Sequence, residues 1–526
     1  MRAPLPGEPA IEPAAQAIEP PGFLVRWLQV LGFQGIGFGI TAATVALAVA
    51  VVPPAVYGEY GSLVSAVQLV ASVALSWVAQ SSLRFAREEF GNTGAVGVTL
   101  RSALGLQGLV YVAGALLAGL AAFALRDVVG VSGAILLPAA LAVLALAAFE
   151  TASYVAQGAG LARGLGAGAL ITKLGPFAAV LAIWWGMPAS APLLLAGMAA
   201  GFAAAFLFTL QAVPRVPRAG PRIDRETARR IIGYGAILPI SAAAGATGAA
   251  MHVWFVRGFA GLESAGAYAW AGSVYALLIA PLLPLASLIA PRMIDNRLAG
   301  RSAETRGQLA AFLAAVVLSA AALPLLIALL RCAVLALPDR YAAAGPILCL
   351  LVSALPAQML ASLTSPIIMA HDSLIGSIVK INFAAVLAAF AANAMLTPWL
   401  GGFGAALALS VSIWTAAILL YRLASRTVPV ELPQARSTAV RLVALGTVVA
   451  AGDMMLLQVP LVLLWPLAGL MSTVMLLVLR QLAMLSGAGE IAQLLRQIAG
   501  NPPVCLTRFL AWCENGGRRK TGTGRS

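Results

Sequence analysis

Charge is scarce in this sequence. Asp, Glu, Lys and Arg together make up 10% of its 526 residues, and only two residues are histidine. Soluble domains carry roughly a quarter charged and about 45–50% apolar residues, whereas here the hydrophobic share is 61%, which excludes an ordinary soluble globule. Cysteine is scarce too. Cys332 and Cys349 lie in apolar runs and Cys505 and Cys513 near the C-terminus, a spacing that matches neither a zinc site nor a disulfide framework, so no metal and no disulfide are expected. No glycine-rich nucleotide loop ending in Lys-Ser or Lys-Thr is present, and no cofactor is expected. Ten-residue strands of alternating polarity are missing, which excludes a transmembrane barrel. The N-terminal MRAPLPGEPAIEPAAQAIEPPG lacks a basic stretch leading into an apolar run and a cleavage site, so it reads as a disordered tail over 1–22 and not as a signal peptide.

What is present is a succession of long apolar runs. A bilayer core demands about 20 apolar residues per helix, because each backbone N–H and C=O must be satisfied within the segment. On that measure spans fall at roughly 27–51, 60–82, 103–125, 132–157, 168–186, 190–213, 233–256, 265–290, 308–330, 344–370, 375–396, 402–421, 441–458 and 461–480. The expected fold is an all-α, polytopic helical membrane protein with about fourteen spans.

The formal net charge of +14 is distributed unevenly. With an inside N-terminus, the basic segments 214–230, 292–306 and 422–436 all fall inside, and the loops outside keep only Arg126, Arg257, Arg331 and Arg340. That is the positive-inside pattern, so both termini are expected in the cytoplasm and no nucleic-acid partner is expected. The C-terminal segment has apolar residues at helical spacing beside basic ones, which suits either a helix on the anionic inner leaflet or a partly disordered end.

Sliding the sequence over itself by 208 residues aligns Gly37 with Gly245, Gly58 with Gly266, Tyr60 with Tyr268, Ser65 with Ser273 and Arg84 with Arg292. Each pair falls on corresponding spans of a six-helix unit. Six is even, so the two units enter the membrane in the same orientation. The expected organisation is an N-lobe over 23–213, a basic linker over 214–232 and a C-lobe over 233–421. A helix pair over 441–482 and a basic tail over 483–526 follow.

The fourteen-span plan, the stretch AVYGEYGSLVSAVQLVASVALSWVAQSSLRFAREEF at 55–90 and the turn AQGAGLARGLG at 156–166 together resemble the polysaccharide-biosynthesis and oligosaccharide flippase family. Its superfamily also holds multidrug exporters and peptidoglycan-precursor flippases. The resemblance covers about residues 23–482. It implies a flippase of the bacterial inner membrane that turns polyprenyl-diphosphate-linked oligosaccharide from the cytoplasmic to the outer leaflet, for O-antigen, capsule or exopolysaccharide. Membrane lipids, glycosyltransferases and a polysaccharide polymerase would be its partners. Two other readings compete. An ion-coupled multidrug exporter of the superfamily would carry a carboxylate deep in the first span, and 27–51 has none. A membrane polysaccharide polymerase would carry a long catalytic outer loop, and the expected outer loops are short. No catalytic residue is expected.

A diphosphate needs cations in a hydrated cavity, because unpaired charge in hydrocarbon is very costly. The candidates for binding it are Arg84, Arg292, Lys173, Lys380 and Arg26, all toward the cytoplasmic side. The plain alternative is snorkelling at helix ends. In QSSLRFAREEF, Arg84 is expected to face the cavity and Arg87, Glu88 and Glu89 to form a solvated loop. Glu150 either pairs with Lys173 across a helical hairpin, couples transport to an ion or contacts the ligand. His371 reads as a loop residue, His252 and Arg257 as a polar patch near the outer end of the seventh span, and Asp453 as a buried acid without a basic partner. Gly35, Gly37 and Gly39 in the first span, with Pro239 and Gly245 in the seventh, serve either close packing or hinge bending.

Overall fold

The computed structural model describes residues 23–124, 133–213, 224–235, 238–280, 302–335, 337–369, 374–427, 456, 460–481 and 504–518. Among them there are helices and no strands. The first half of the chain holds α1 (Phe23–Val51), α2 (Pro54–Ala74), α3 (Ser76–Thr93), α4 (Gly97–Ala124), α5 (Gly133–Gly158), α6 (Ala162–Trp184) and α7 (Ala191–Ala212). A short helix, α8 (Arg225–Gly235), leads to α9 (Leu238–Ile279), α10 (Ser302–Val334), α11 (Ala344–Ser353), α12 (Leu355–Met369) and α13 (Ile375–Thr427). Then come α14 (Leu461–Gln481) and α15 (Val504–Arg518). Six helices are long and apolar enough to cross a membrane, and eight if each bent pair is one span. The protein is a multi-pass membrane protein. The thirteenth expected span, 441–458, lies outside the described residues apart from Leu456, as do Arg292, His371 and Asp453.

Bends separate the observed helices from the straight spans that apolar runs suggest. The second expected span is two helices, α2 and α3, meeting at 51° at Leu75, and the tenth is α11 and α12, meeting at 42°. Two other helices fold back on themselves. In α13 the backbone breaks at Gly401 (φ 56°, ψ −134°), and the Ser412 hydroxyl donates to the Ala385 carbonyl at 3.1 Å. Residues 27 positions apart on a straight helix would be about 40 Å apart, so the arms form a hairpin. In α9 the break is at Gly261 (φ 83°), a left-handed conformation suited to glycine.

The charged stretch after α2 is not a loop. Helix α3 runs through all of QSSLRFAREEF to Thr93. Glu89 turns to the start of α4, where its two carboxylate oxygens accept the Val98 and Thr99 N–H groups at 2.8 Å each. Those donors have no partner within their own helix, and a carboxylate suits the positive end of the helix dipole. Glu88 accepts from Arg84 Nε at 3.2 Å and from Arg230 Nη2 at 2.6 Å. Arg230 belongs to α8, so the segment expected as plain basic linker contains a docked helix. Its guanidinium stacks 4.7 Å from the Phe85 ring centroid, and Ile231 is fully buried beneath it. Asp224 caps α8 by accepting the Thr227 N–H at 2.8 Å and its hydroxyl at 2.5 Å.

The two halves meet where α2 crosses α9. A Cβ on Gly58 would run into the Leu262 carbonyl, and one on Gly266 into the Pro54 carbonyl. Gly58 and Gly266 are 208 residues apart, as are Pro54 and Leu262, so the contact is reciprocal about a local two-fold. Gly61 faces Ala269 in the same relation. In lipid, where apolar surface gains little by leaving the solvent, small residues that let backbones approach are what hold helices together.

Two outcomes are expected. Gly266→Ala should lower thermal stability in detergent by about 1–3 kcal/mol or abolish folding, since the neighbour is backbone and cannot yield. Gly91→Ala, with nothing within 4 Å of the new methyl, should be neutral or stabilising. The hydrogen bonds from Thr227 hold the Asp224 carboxyl below the ordinary carboxylate range. The cap is therefore fully present above about pH 4 and fades as pH falls through the depressed value. Amide protection over 225–235, taken relative to the intrinsic exchange rate at each pH, should fall at acid pH in the parent and should be low already at neutral pH in Asp224→Ala.

Candidate functional site

A cavity of about 290 Å³ lies between the halves, walled by α1, α6 and the second arm of α9. Helix α1 contributes Phe33, Gln34, Gly37, Phe38 and Thr41, α6 contributes Gly166 to Lys173, and α9 contributes Ser273 to Ala280. The packing that shapes it is local. Gly37 turns its bare face to Leu170 and the Lys173 stem, and Gly166 admits the Phe33 ring. The walls are mostly apolar, and four polar side chains converge on them. The Thr41 hydroxyl is spent on the Gly37 carbonyl at 2.8 Å, and that of Ser273 on the Ala269 carbonyl at 2.9 Å, where it also meets Tyr57 Oη at 3.2 Å. The Gln34 Oε1 is buried without a hydrogen-bond partner. Lys173 brings the ammonium. Among the residues lining this cavity there is one cation and no carboxylate.

The five candidate cations thus separate. Lys173 lines the cavity. Arg84 does not: it sits on α3 with its side chain 58% exposed, paired with Glu88. Lys380 is exposed on α13. Arg26 lies in the first turn of α1, where only the backbone is described, and Arg292 is outside the described residues. Of the candidate hinges, Gly37 is in contact across the cavity wall, whereas Gly35 and Gly39 have nothing within 4 Å among the described residues. Pro239 is the second residue of α9, in a first turn where its missing N–H breaks no hydrogen bond. Gly245 lies on the same arm.

Glu150 makes a different partnership from the one expected. No ion pair joins it to Lys173 among the described residues. Its Oε2 accepts the Ser76 hydroxyl at 2.5 Å, at the first residue after the α2–α3 bend. Beside it, Gln107 Nε2 donates to the Leu75 carbonyl at 3.2 Å and to the Ala147 carbonyl at 3.3 Å. Gln107 serves the backbone where the bend disturbs the helical ladder, and with the Ser76–Glu150 contact it ties α3, α4 and α5 together there. Gln107 was missed in the sequence, although an amide inside LGLQGLVY was a visible signal. A second buried cluster lies in the other half. His252 Nδ1 meets Asn393 Nδ2 at 2.8 Å, and Thr397 donates to Asn393 Oδ1 at 3.1 Å. His252 is 1% exposed, so it is part of a buried hairpin contact and not of an open patch near Arg257.

No protein-family profile matches this sequence, and no curated protein matches it. Solved structures do. The lipid II flippase MurJ, in an inward closed conformation, superposes with a TM-score of 0.63 at 11% identity, covering 87% of this chain and 99% of MurJ. A MOP superfamily transporter from Pyrococcus furiosus gives 0.54 at 13% identity, covering 77% of this chain and 95% of its own. A MATE in complex with MaL6 gives 0.53 at 14% identity, covering 77% and 96%. The fold is that of the MOP-superfamily transporters. Nearly the whole of each such protein is matched, so the MOP architecture accounts for most of the chain and not for one lobe of it.

Within this MOP fold the Ser76–Glu150 contact has a measurable consequence. Ser76→Ala and Glu150→Gln should each lower thermal stability by about 1–3 kcal/mol, and the double variant should cost little more than the worse single one. Additive losses in unfolding experiments would show that the two side chains act separately.

Proposed function

We propose that this protein is a flippase that carries a polyprenyl-diphosphate-linked oligosaccharide from the cytoplasmic to the outer leaflet of a bacterial inner membrane, by alternating access. Surface polysaccharide synthesis is the use this implies, with glycosyltransferases and a polymerase acting before and after it. Both termini are assigned to the cytoplasm on the charge asymmetry of the loops. The observation that carries the reading is Lys173, an ammonium unaccompanied by any carboxylate in a cavity between the halves of a MOP fold. Such a cavity favours an anion. An exporter of cationic drugs would be served by the opposite charge.

The physics of the task fits that arrangement. An unpaired phosphate cannot enter hydrocarbon, so the head group must meet a cation and polar groups while its lipid tail stays in the bilayer. Lys173 supplies the point charge for the phosphates, and Gln34 Oε1 an unused acceptor for a sugar hydroxyl. At about 290 Å³ the cavity is at the small end of ligand sites, sized for the diphosphate and the first sugar, with the remaining sugars accommodated as the halves separate. Outward movement of the anion is assisted by an inside-negative potential, by about 2.3 kcal/mol per charge per 100 mV.

In proteoliposomes, with the flipped head group detected by an impermeant sugar-cleaving enzyme, Lys173→Gln should slow translocation at least tenfold. Lys173→Arg should retain a substantial part of the rate, and collapse of the potential should slow the parent. Parent-like flipping by Lys173→Gln would remove the head-group role. Efflux of cationic drugs unaffected by that substitution would replace a flippase with an exporter.

A further inference from the structure

The end of α1 carries a contact that the cavity does not explain. Pro53 and Pro54 follow one residue after the helix ends, and neither has an N–H. The carbonyls of Val49 and Ala50, which would accept from residues 53 and 54 if the helix continued, therefore have no donor in their own chain segment. Both are taken by one side chain from the other half. Arg340 Nη2 donates to the Val49 carbonyl at 2.7 Å and to the Ala50 carbonyl at 2.6 Å. Next to it the Tyr341 hydroxyl donates to the Val52 carbonyl at 3.1 Å, and Trp270 Nε1 reaches the Val45 carbonyl at 3.3 Å. Tyr341 is fully buried and packs on the Trp270 ring. A guanidinium at the negative end of a helix dipole adds charge attraction to these bonds.

Further back, the same helix is held by the first half. Gly37 lies against Leu170 and Lys173 on α6, inside the cavity wall. One helix is thus fastened to the second half at its C-terminus and to the first half at the cavity. Close to the same end of α1, α2 and α9 cross, and there Trp254 Nε1 donates to the Ser62 carbonyl at 3.2 Å.

We propose that Arg340 is the latch that keeps the cavity closed toward the face where α1 ends, and that opening to this face requires its guanidinium to leave the Val49 and Ala50 carbonyls. It acts as a positioning residue, since it touches α1 and not the ligand. The proposal rests on the transport reading, but its measurement is access and not transport, so the two fail separately.

The test uses the full chain with Cys332, Cys349, Cys505 and Cys513 replaced and one reporter, Ala276→Cys, in the cavity wall. A membrane-impermeant maleimide is applied to vesicles of each orientation, and the ratio of labelling rates from the two faces is measured. Arg340→Ala should raise labelling from the α1 C-terminal face about tenfold and lower it from the other. Arg340→Lys should fall between, because an ammonium keeps the charge and can donate to more than one carbonyl, but on a shorter stem and without the fixed N–H directions of a guanidinium. Tyr341→Phe keeps the shape, loses the bond to Val52 and should raise the ratio about threefold. An unchanged ratio in the folded fraction of both Arg340→Ala and Tyr341→Phe would reduce Arg340 to a helix cap and overturn the proposal. A changed ratio in a protein that flips no lipid-linked sugar would leave the latch standing and remove the flippase.

Discussion

Backbone groups inside a membrane must find partners within the protein, and the main features of this structure answer that constraint. Where a helix runs straight, the i to i+4 ladder is sufficient. Where it bends or stops, side chains substitute. Gln107 takes the Leu75 carbonyl at the α2–α3 bend, Glu89 takes two N–H groups at the start of α4, and Arg340 takes two carbonyls at the end of α1. Few charged and amide residues are available, and several of the described ones stand at interruptions of this kind. The α2–α9 crossing obeys the same logic in reverse, because glycines there bring two intact ladders so close that no side chain fits between them.

These interruptions also divide what could be read from the sequence from what could not. Straight spans were legible: the runs read as 27–51, 190–213 and 461–480 became Phe23–Val51, Ala191–Ala212 and Leu461–Gln481. Of the glycines that alignment at 208 residues paired, Gly58 and Gly266 touch across the α2–α9 crossing. The bend at Leu75 was invisible, because neither glycine nor proline marks it and its partners lie on other helices. QSSLRFAREEF read as a helix end because its charges suggest solvent. In the structure Glu89 is engaged with the start of α4 and Glu88 with Arg230 of α8, which only the folded chain brings near.

At the candidate site the divide is similar. Lys173 stood out as an ammonium inside an apolar run, and it lines the cavity. Its proposed partner, Glu150, was chosen by proximity in a hairpin, but helix rotation decides which faces meet, and the carboxylate faces Ser76 instead. Arg84 was favoured for its place in a repeat, yet an acid one turn along the same helix claims it. Conversely, Arg340 looked like a stray exception to the positive-inside pattern. Its meaning needs the prolines at 53 and 54, nearly 300 positions away.

A fixed ammonium in the cavity also has an electrical consequence for a carrier that alternates between two faces. On the function proposed above, if Lys173 shifts through part of the membrane field as the cavity changes sides, the empty protein would move a positive charge and the loaded protein a negative one, since a diphosphate outweighs one ammonium. With the interior negative, the loaded step outward and the empty step inward then both run downhill in the field. Neither half of the cycle works against the other. A single basic residue in place of an acidic one would thus rectify the carrier, with the resting potential acting as a ratchet.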